Sequence, residues 1–365
     1  MARSMSSLFL NSARKIARQQ SKALIKATQS NMKLAASAFN SNPLLVNPAG
    51  LRPRAKKPVP PPFRHGSWTE RVFRVPTSVT LFVPRLSYFV YVPPGQEIKG
   101  SPVLVMLHGC KQTSTEFAQG TRMNQLAAKA GMVVVYPQQS RQRQTLRCWR
   151  WYQPDNHHGF AEADAIAALI RNLIVRHRVD RSRIYLAGMS AGAGMSSLLA
   201  LRHPELFAAV ALHSGPVLGN ASSVASGIQT MRRGTLNDPV SSLMSMNTPV
   251  EQRPDFLPAL ILQGQLDRVV AAKNGEQLAR QFAWLNGFEE DAKPFEKHLG
   301  ENTSREYTRY DFQRARKTLV RYCRIRKVGH AWSGGDTRLE FNASEGPNAS
   351  SLILQFFRMH RRSRT

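Results

Sequence analysis

The residues best suited to covalent chemistry lie in the stretch Ile184-Tyr185-Leu186-Ala187-Gly188-Met189-Ser190-Ala191-Gly192-Ala193-Gly194. Gly-x-Ser-x-Gly occurs by chance in many chains, so its weight comes from the flanks. An apolar, strand-like run ends at the motif and a run of small, helix-compatible residues begins there. A tight strand-to-helix turn holds its serine in a strained conformation with the hydroxyl exposed, and the glycines let neighbouring backbone pass close by. Ser190 is accordingly the candidate nucleophile. The plain alternative is a glycine-rich turn with an incidental serine.

A serine hydroxyl becomes a nucleophile when a base takes its proton, and imidazole, with a reference pKa of ~6.5, can do this at neutral pH. Where the serine sits on such a turn, the acid and then the histidine follow it in the chain. His330 stands in Gly329-His330-Ala331-Trp332-Ser333-Gly334-Gly335, a glycine-rich loop after a strand-like stretch. His203 at a helix end, His213 at a strand end and His360 in the tail are worse placed. The acid should leave a strand end between the two, and Leu260-Ile261-Leu262-Gln263-Gly264-Gln265-Leu266-Asp267-Arg268-Val269-Val270 supplies Asp267, with Val269 and Val270 anchoring the return. Its role would be to fix the imidazole tautomer. A single aspartate is often only a turn residue, and Asp255 and Asp336 compete, although neither follows a strand. The apolar run 103–107 leads into His108-Gly109-Cys110-Lys111-Gln112, which matches the loop that offers backbone N–H groups to a developing oxyanion. This assigns the N–H groups of Cys110 and Ala191 to that role and leaves His108 and Gly109 to shape the turn.

These residues require a scaffold of strands with crossover helices. Strands are expected over 79–83 and 88–92 as an antiparallel pair, and over 103–107, 132–136, 184–187, 208–213, 259–263 and 318–328. Helices are expected over 114–130, 161–177, 191–203, 274–283 and 352–359. Such alternation means βαβ units and a mostly parallel sheet with helices on both faces. Residues 218–255 lose periodicity and read as an insertion over the sheet.

LHGCKQT, MNQLAAKAGMVVVYPQQ, RCWRW, GMSAGAGM, LHSG, QGQLDRVV and GHAWSGG occur in that order. Together they make residues 70–360 resemble the catalytic domain of the poly(3-hydroxybutyrate) depolymerase family of esterases, relatives of feruloyl and acetylxylan esterases. The resemblance implies an α/β-hydrolase fold, a Ser190, Asp267, His330 triad, and hydrolysis of hydroxyalkanoate or related short acyl esters. It also suggests a disulfide between Cys110 and Cys148; two buried thiols are the rival reading. Trp149, Trp151 and Trp332 flank the site segments, either as walls of an acyl or polymer groove or as core. No metal-ligand cluster and no Walker or dinucleotide glycine pattern occurs, so no cofactor is expected.

Charge marks the ends of the 365-residue chain. It holds 51 Lys and Arg against 23 Asp and Glu, a net +28, and 12 of the cations precede the first acid, Glu70. The reading is a basic leader over 1–41, a proline-rich linker over 42–66, and a catalytic domain over 67–365 that ends in a basic tail. Residues 6–39 carry helical spacing, as a helix lying on an anionic surface or as a solvated arm. Attraction to a granule or acidic lipid surface is expected from the charge, with no specific nucleic acid implied. No run reaches the ~20 apolar residues of a bilayer-spanning helix. The apolar run Leu8-Phe9-Leu10 falls short of the ~7 residues of a secretory core segment, so a cytoplasmic or granule-associated location stands beside the extracellular one common in the family. Two further readings stay open: a feruloyl or acetylxylan type of ester specificity, and a granule-, lipid- or nucleic-acid-binding protein on a hydrolase scaffold.

Overall fold

The structure, a computed structural model, describes residues 65–246 and 257–362. The leader, most of the linker, Asp255 and part of the 218–255 insertion lie outside the described residues.

Ten strands form one sheet. In chain order they are β1 (Ser67–Arg74), β2 (Arg85–Val92), β3 (Val103–Leu107), β4 (Val133–Gln138), β5 (Ile184–Met189), β6 (Ala209–His213), β7 (Ala259–Gly264), β8 (Phe295–Leu299), β9 (Tyr307–Arg314) and β10 (Lys317–Ile325). Their spatial order is β1-β2-β4-β3-β5-β6-β7-β10-β9-β8. From β4 to β10 every neighbouring pair is parallel, and antiparallel strands complete both edges. The central strands are buried on both faces, which is why β3 (VLVML) and β5 (IYLAGM) show no polar alternation.

Helices α1 (Ser114–Thr121), α2 (Met123–Lys129) and α8 (Ala349–Arg358) pack on one face, in a core containing Phe117, Met123, Ile353 and Phe357. Helices α3 (Gly159–His177), α4 (Ala191–Arg202) and α7 (Lys273–Leu285) belong to the opposite layer. The 218–255 insertion contributes α5 (Val224–Arg233) and α6 (Pro239–Met244). A small parallel pair, β11 (Trp332–Ser333) and β12 (Asn342–Ala343), follows β10.

Three expectations are corrected. Residues 79–83 form a turn in which the N–H groups of Val79 and Thr80 both reach Pro76 O. The partner of β2 is instead β1, an edge strand whose residues are exposed apart from the half-buried Trp68 and Phe73, so its apolar pattern is weak. The helix expected over 114–130 is two helices, broken where Arg122 turns left-handed (φ 54°). There the Gly120 carbonyl accepts from Asp336 N–H at 2.8 Å, and a Cβ on Gly120 would lie 2.4 Å from Asn342 Nδ2. Finally, the β8–β9 hairpin has no counterpart in the expected elements, because β8 (FEKHL) is almost wholly exposed and carries no burial signal.

Candidate active site

Ser190 sits between β5 and α4 with φ 55° and ψ −121°, a left-handed conformation that costs a non-glycine residue energy. Its N–H bonds to His213 O on the neighbouring strand at 2.9 Å. The two glycines of the motif are sterically required. A Cβ on Gly188 would lie 2.3 Å from Gly192 O, and one on Gly192 would lie 2.1 Å from Leu107 O. The turn can therefore pass under β3 only with glycine at both places.

His330 arrives in the loop after β10, three strand positions from β5 in the sheet. The segments after β7 and β10 run together, with Gln265 N–H on Ile325 O at 2.8 Å and Leu266 N–H on Val328 O at 3.0 Å. A Cβ on Gly264 would meet Val328 O at 2.3 Å, so the close approach depends on that glycine. The result is a continuous chain: Ser190 Oγ to His330 Nε2 at 3.0 Å, and His330 Nδ1 to Asp267 Oδ2 at 2.8 Å. The Asp267 side chain is fully buried. Its Oδ1 accepts the N–H groups of Val269 (2.9 Å) and Val270 (2.8 Å), and Gln263 Nε2 lies 3.3 Å from Oδ2. Burial alone would raise the pKa of this carboxyl, but the facing His330 and the hydrogen bonds outweigh it and the net shift is downward. The acid thus stays ionised, as an orienting carboxylate must.

The rejected candidates lie elsewhere. His203 Nε2 bonds Asp164 at 2.7 Å, His360 is buried beside Phe356, and Asp336 pairs with Arg338 and Arg122.

The turn after β3 comes against Ser190, since a Cβ on Gly109 would be 3.4 Å from Ser190 Cβ. Gly109 N–H is held by Gln112 Oε1 at 2.9 Å and Lys111 N–H by Leu146 O at 2.6 Å. Between them, Cys110 N–H carries no hydrogen bond among the described residues, and neither does Ala191 N–H at the first position of α4. Two N–H groups beside a serine, unspent on the protein, are what an oxyanion site requires. His108 is a strut for this turn: Gln139 N–H donates to its Nε2 at 3.1 Å, while its Nδ1 faces Gly109 O at 2.8 Å. Burial pushes its pKa down to about 4, so the ring is neutral. Cys110 and Cys148 form a disulfide, with Cα atoms 4.3 Å apart, that ties the turn to the RCWRW loop.

Trp149, Trp151 and Trp332 are only 1, 4 and 1% exposed. Trp332 stands edge-on to Phe117 and donates Nε1–H to Ser350 Oγ at 3.1 Å, and Trp151 packs over Gly194. They are packed against protein rather than presented to solvent. Sequence reasoning missed one supporting residue, His213. Its ring stacks on Trp332 at 5.0 Å and accepts Ser333 N–H on Nε2 at 3.2 Å. Burial lowers its pKa to about 3, and as a neutral ring it braces the loop that carries His330. The only sequence signal was the LHSG motif at the end of β6. Among the described residues, no group of three or more His, Cys, Asp or Glu side chains could hold a metal ion.

A mostly parallel sheet with a strand–serine–helix elbow, followed by acid and histidine loops, defines the α/β-hydrolase fold. The sequence profile of the family described as Esterase PHB depolymerase matches residues 86–305, and the chain belongs to that family. Poly(3-hydroxyalkanoate) depolymerase C of Paucimonas lemoignei is 30% identical over 213 residues, which cover 56% of this chain and 50% of that protein. The chain thus spans half the length of that relative. Feruloyl esterase B of Thermothelomyces thermophilus is 30% identical over 143 residues, 39% of this chain and 48% of that one. Among solved structures, the acetyl xylan esterase from Aspergillus awamori superposes with a TM-score of 0.61 at 19% identity, over 80% of this chain and 100% of that one. This last likeness concerns the fold.

Proposed function

We propose that the protein is a serine carboxylic-ester hydrolase acting through an acyl-enzyme. The observation that carries this reading is the unbroken Ser190–His330–Asp267 chain of hydrogen bonds at 3.0 and 2.8 Å. His330 Nε2 takes the Ser190 proton as Oγ attacks the ester carbonyl, and Asp267 holds Nδ1–H and balances the imidazolium charge. The oxyanion is received by Cys110 N–H and Ala191 N–H. His330 then protonates the departing alcohol, and water repeats the sequence to release the acid. No cofactor enters this scheme. The substrate class we favour is hydroxyalkanoate esters, polymer or oligomer, because the depolymerase of Paucimonas lemoignei is 30% identical over 213 residues; feruloyl or acetylated carbohydrate esters are the alternative. The basic leader would add attraction to an anionic granule or lipid surface through its charge.

Turnover of 3-hydroxybutyrate oligomers, feruloyl esters, acetylated xylan and short nitrophenyl esters by the intact chain tests the reading, with mass spectrometry after fluorophosphonate treatment. Phosphonylation at Ser190 and fastest turnover of the oligomers are expected. Labelling elsewhere, with no loss of turnover in Ser190→Ala, overturns the mechanism; faster feruloyl or acetylxylan hydrolysis overturns the substrate class.

A further inference from the structure

A cavity of about 490 Å³ that the proposed mechanism does not use is lined in part by Gln139, whose N–H bonds the His108 ring of the oxyanion turn. It opens between the start of β2, the end of β4 and the loop that leads to Cys148. Arg85, Arg141, Arg143 and Arg147 line it, with Trp149 and Glu162. Among the described residues none of these four guanidinium groups has a carboxylate within ion-pair distance, although fourteen other pairs form.

A surplus of cations is ordinary on so basic a chain when the side chains extend into water. Two of these do not. Arg143 is half-buried, its guanidinium bonds to Phe82 O, and its own carbonyl accepts from Arg150 NH2 at 2.8 Å. The Nε atoms of Arg143 and Arg147 are buried without a partner, and so is the indole Nε1–H of Trp149. Burial lowers the pKa of both arginines, Arg147 further through Arg141, and outweighs the opposing pull of Glu162 on Arg143 and of Glu116 on Arg147. Glu162, the one carboxylate in the wall, is already engaged, accepting Gln139 Nε2 at 2.7 Å and Arg150 N–H at 2.8 Å. The cavity wall therefore holds several unspent donors while its one carboxylate is already engaged, which fits a small oxyanionic ligand.

The loop that carries these arginines is tied to the catalytic turn at three places: Gln139 N–H on His108, Leu146 O on Lys111 N–H, and Cys148 on Cys110. We propose that this pocket is a subsite for the free carboxylate end of an oligoester acid, the group that each cycle of ester hydrolysis also generates. The assignment rests on the esterase reading for its choice of carboxylate. Planar guanidinium groups suit a carboxylate because they offer paired N–H donors. Such a subsite makes the enzyme prefer chains that end in a free acid over capped chains of equal length.

Calorimetry on the full chain carrying Ser190→Ala tests this without turnover, using the 3-hydroxybutyrate trimer acid, its methyl ester and inorganic phosphate as probes. The acid should bind at least about tenfold more tightly than the methyl ester, as expected for one charge-assisted contact. Adding Arg147→Ala should erase that preference. Because Arg147→Ala could disturb the loop, Arg85→Gln with Arg141→Gln, both on exposed side chains, provides a second variant, and it should reduce the preference and its salt sensitivity. Equal binding of acid and methyl ester, or an unchanged preference in both variants, overturns the proposal. Tighter binding of phosphate than of the acid overturns the carboxylate assignment. A wild-type protein that hydrolyses no ester yet still selects the acid would sink the esterase reading and leave the pocket standing.

Discussion

Asp267 and Asp336 occupy two loops at the same end of the chain, and both are buried carboxylates held ionised, yet their partners differ in kind. Asp267 faces His330, a group that can change charge and that touches Ser190. Asp336 faces Arg338 Nε at 2.9 Å and Arg122 at 3.6 Å, two permanent cations, and its hydrogen bonds from Arg338 bring its pKa down to about 2. Both carboxyls are held below their ordinary pKa, yet nothing reactive lies beside Asp336. Its N–H bonds Gly120 O, so it fastens the segment after His330 to the break between α1 and α2. A depressed carboxyl thus marks a charged partner, and only the partner's own chemistry separates a catalytic pair from a structural clasp.

The largest expected effects fall where the chain of contacts reaches the nucleophile. Ser190→Ala or His330→Ala should lower turnover of a soluble ester by roughly 10⁶ with the circular dichroism spectrum unchanged, because nucleophile and base act as one unit. Asp267→Asn should cost about 10⁴, since an amide stabilises the wrong tautomer of His330. Asp336→Asn should change turnover by no more than a few-fold and lower the melting temperature instead. Steady-state kinetics paired with thermal melts on these two variants decides the matter; if their phenotypes are exchanged, the acid has been misassigned.

The same comparison extends to pH. His108 and His213 are neutral in the folded state, with pKa values near 4 and 3 against an ordinary 6.5. The unfolded chain takes up protons on both as pH falls below about 6.5, while the folded chain does not until much lower. Their contribution to stability is therefore complete above that pH and is lost on the way down to 4 and 3, roughly 3 kcal/mol for His108 and roughly 5 kcal/mol for His213 by linkage. Asp336 acts later, over roughly pH 4 to 2. Urea unfolding at pH 7, 5.5 and 4.5 should show steadily falling stability, with a shallower fall in His213→Gln. A flat profile across that interval would mean that these rings are not held neutral.

How much of this was legible in sequence depended on whether burial or only position carried the signal. The elbow, His330 and Asp267 could be found because strands buried on both faces announce themselves and because loop order is fixed once they are found. β1 and β8 were lost for the opposite reason: edge strands with exposed side chains show no apolar alternation. The break at Arg122 was invisible because its cause, the approach of Asn342 and Asp336 to Gly120, lies more than two hundred residues away in the chain. His213 could be dismissed as the base from its position, but its bracing of Trp332 and Ser333 appears only in three dimensions. The arginine pocket gathers Arg85 with the 141–147 loop across a gap that no local pattern spans.

Gln112 tests the middle ground between catalytic contact and remote clasp. It touches no reacting atom, but its Oε1 holds Gly109 N–H at 2.9 Å beside the position where the oxyanion would form. It is 4% exposed, so its replacement leaves a gap that water does not readily fill. Gln112→Ala frees Gly109 N–H and loosens the turn that aims Cys110 N–H, a misalignment whose effect should appear in the transition state rather than in substrate binding. The disulfide and the Lys111–Leu146 bond still restrain the turn, so the loss should stop at about tenfold in kcat, with KM nearly unchanged, well short of the ~10²–10³ expected for deleting an oxyanion donor outright. Reducing the Cys110–Cys148 bridge in the same variant should then deepen the loss, because two of the four restraints are gone. Kinetics of Gln112→Ala with and without dithiothreitol reads this directly. An unchanged kcat in both conditions would show that the Lys111–Leu146 bond and the His108–Gln139 contact suffice to fix the turn.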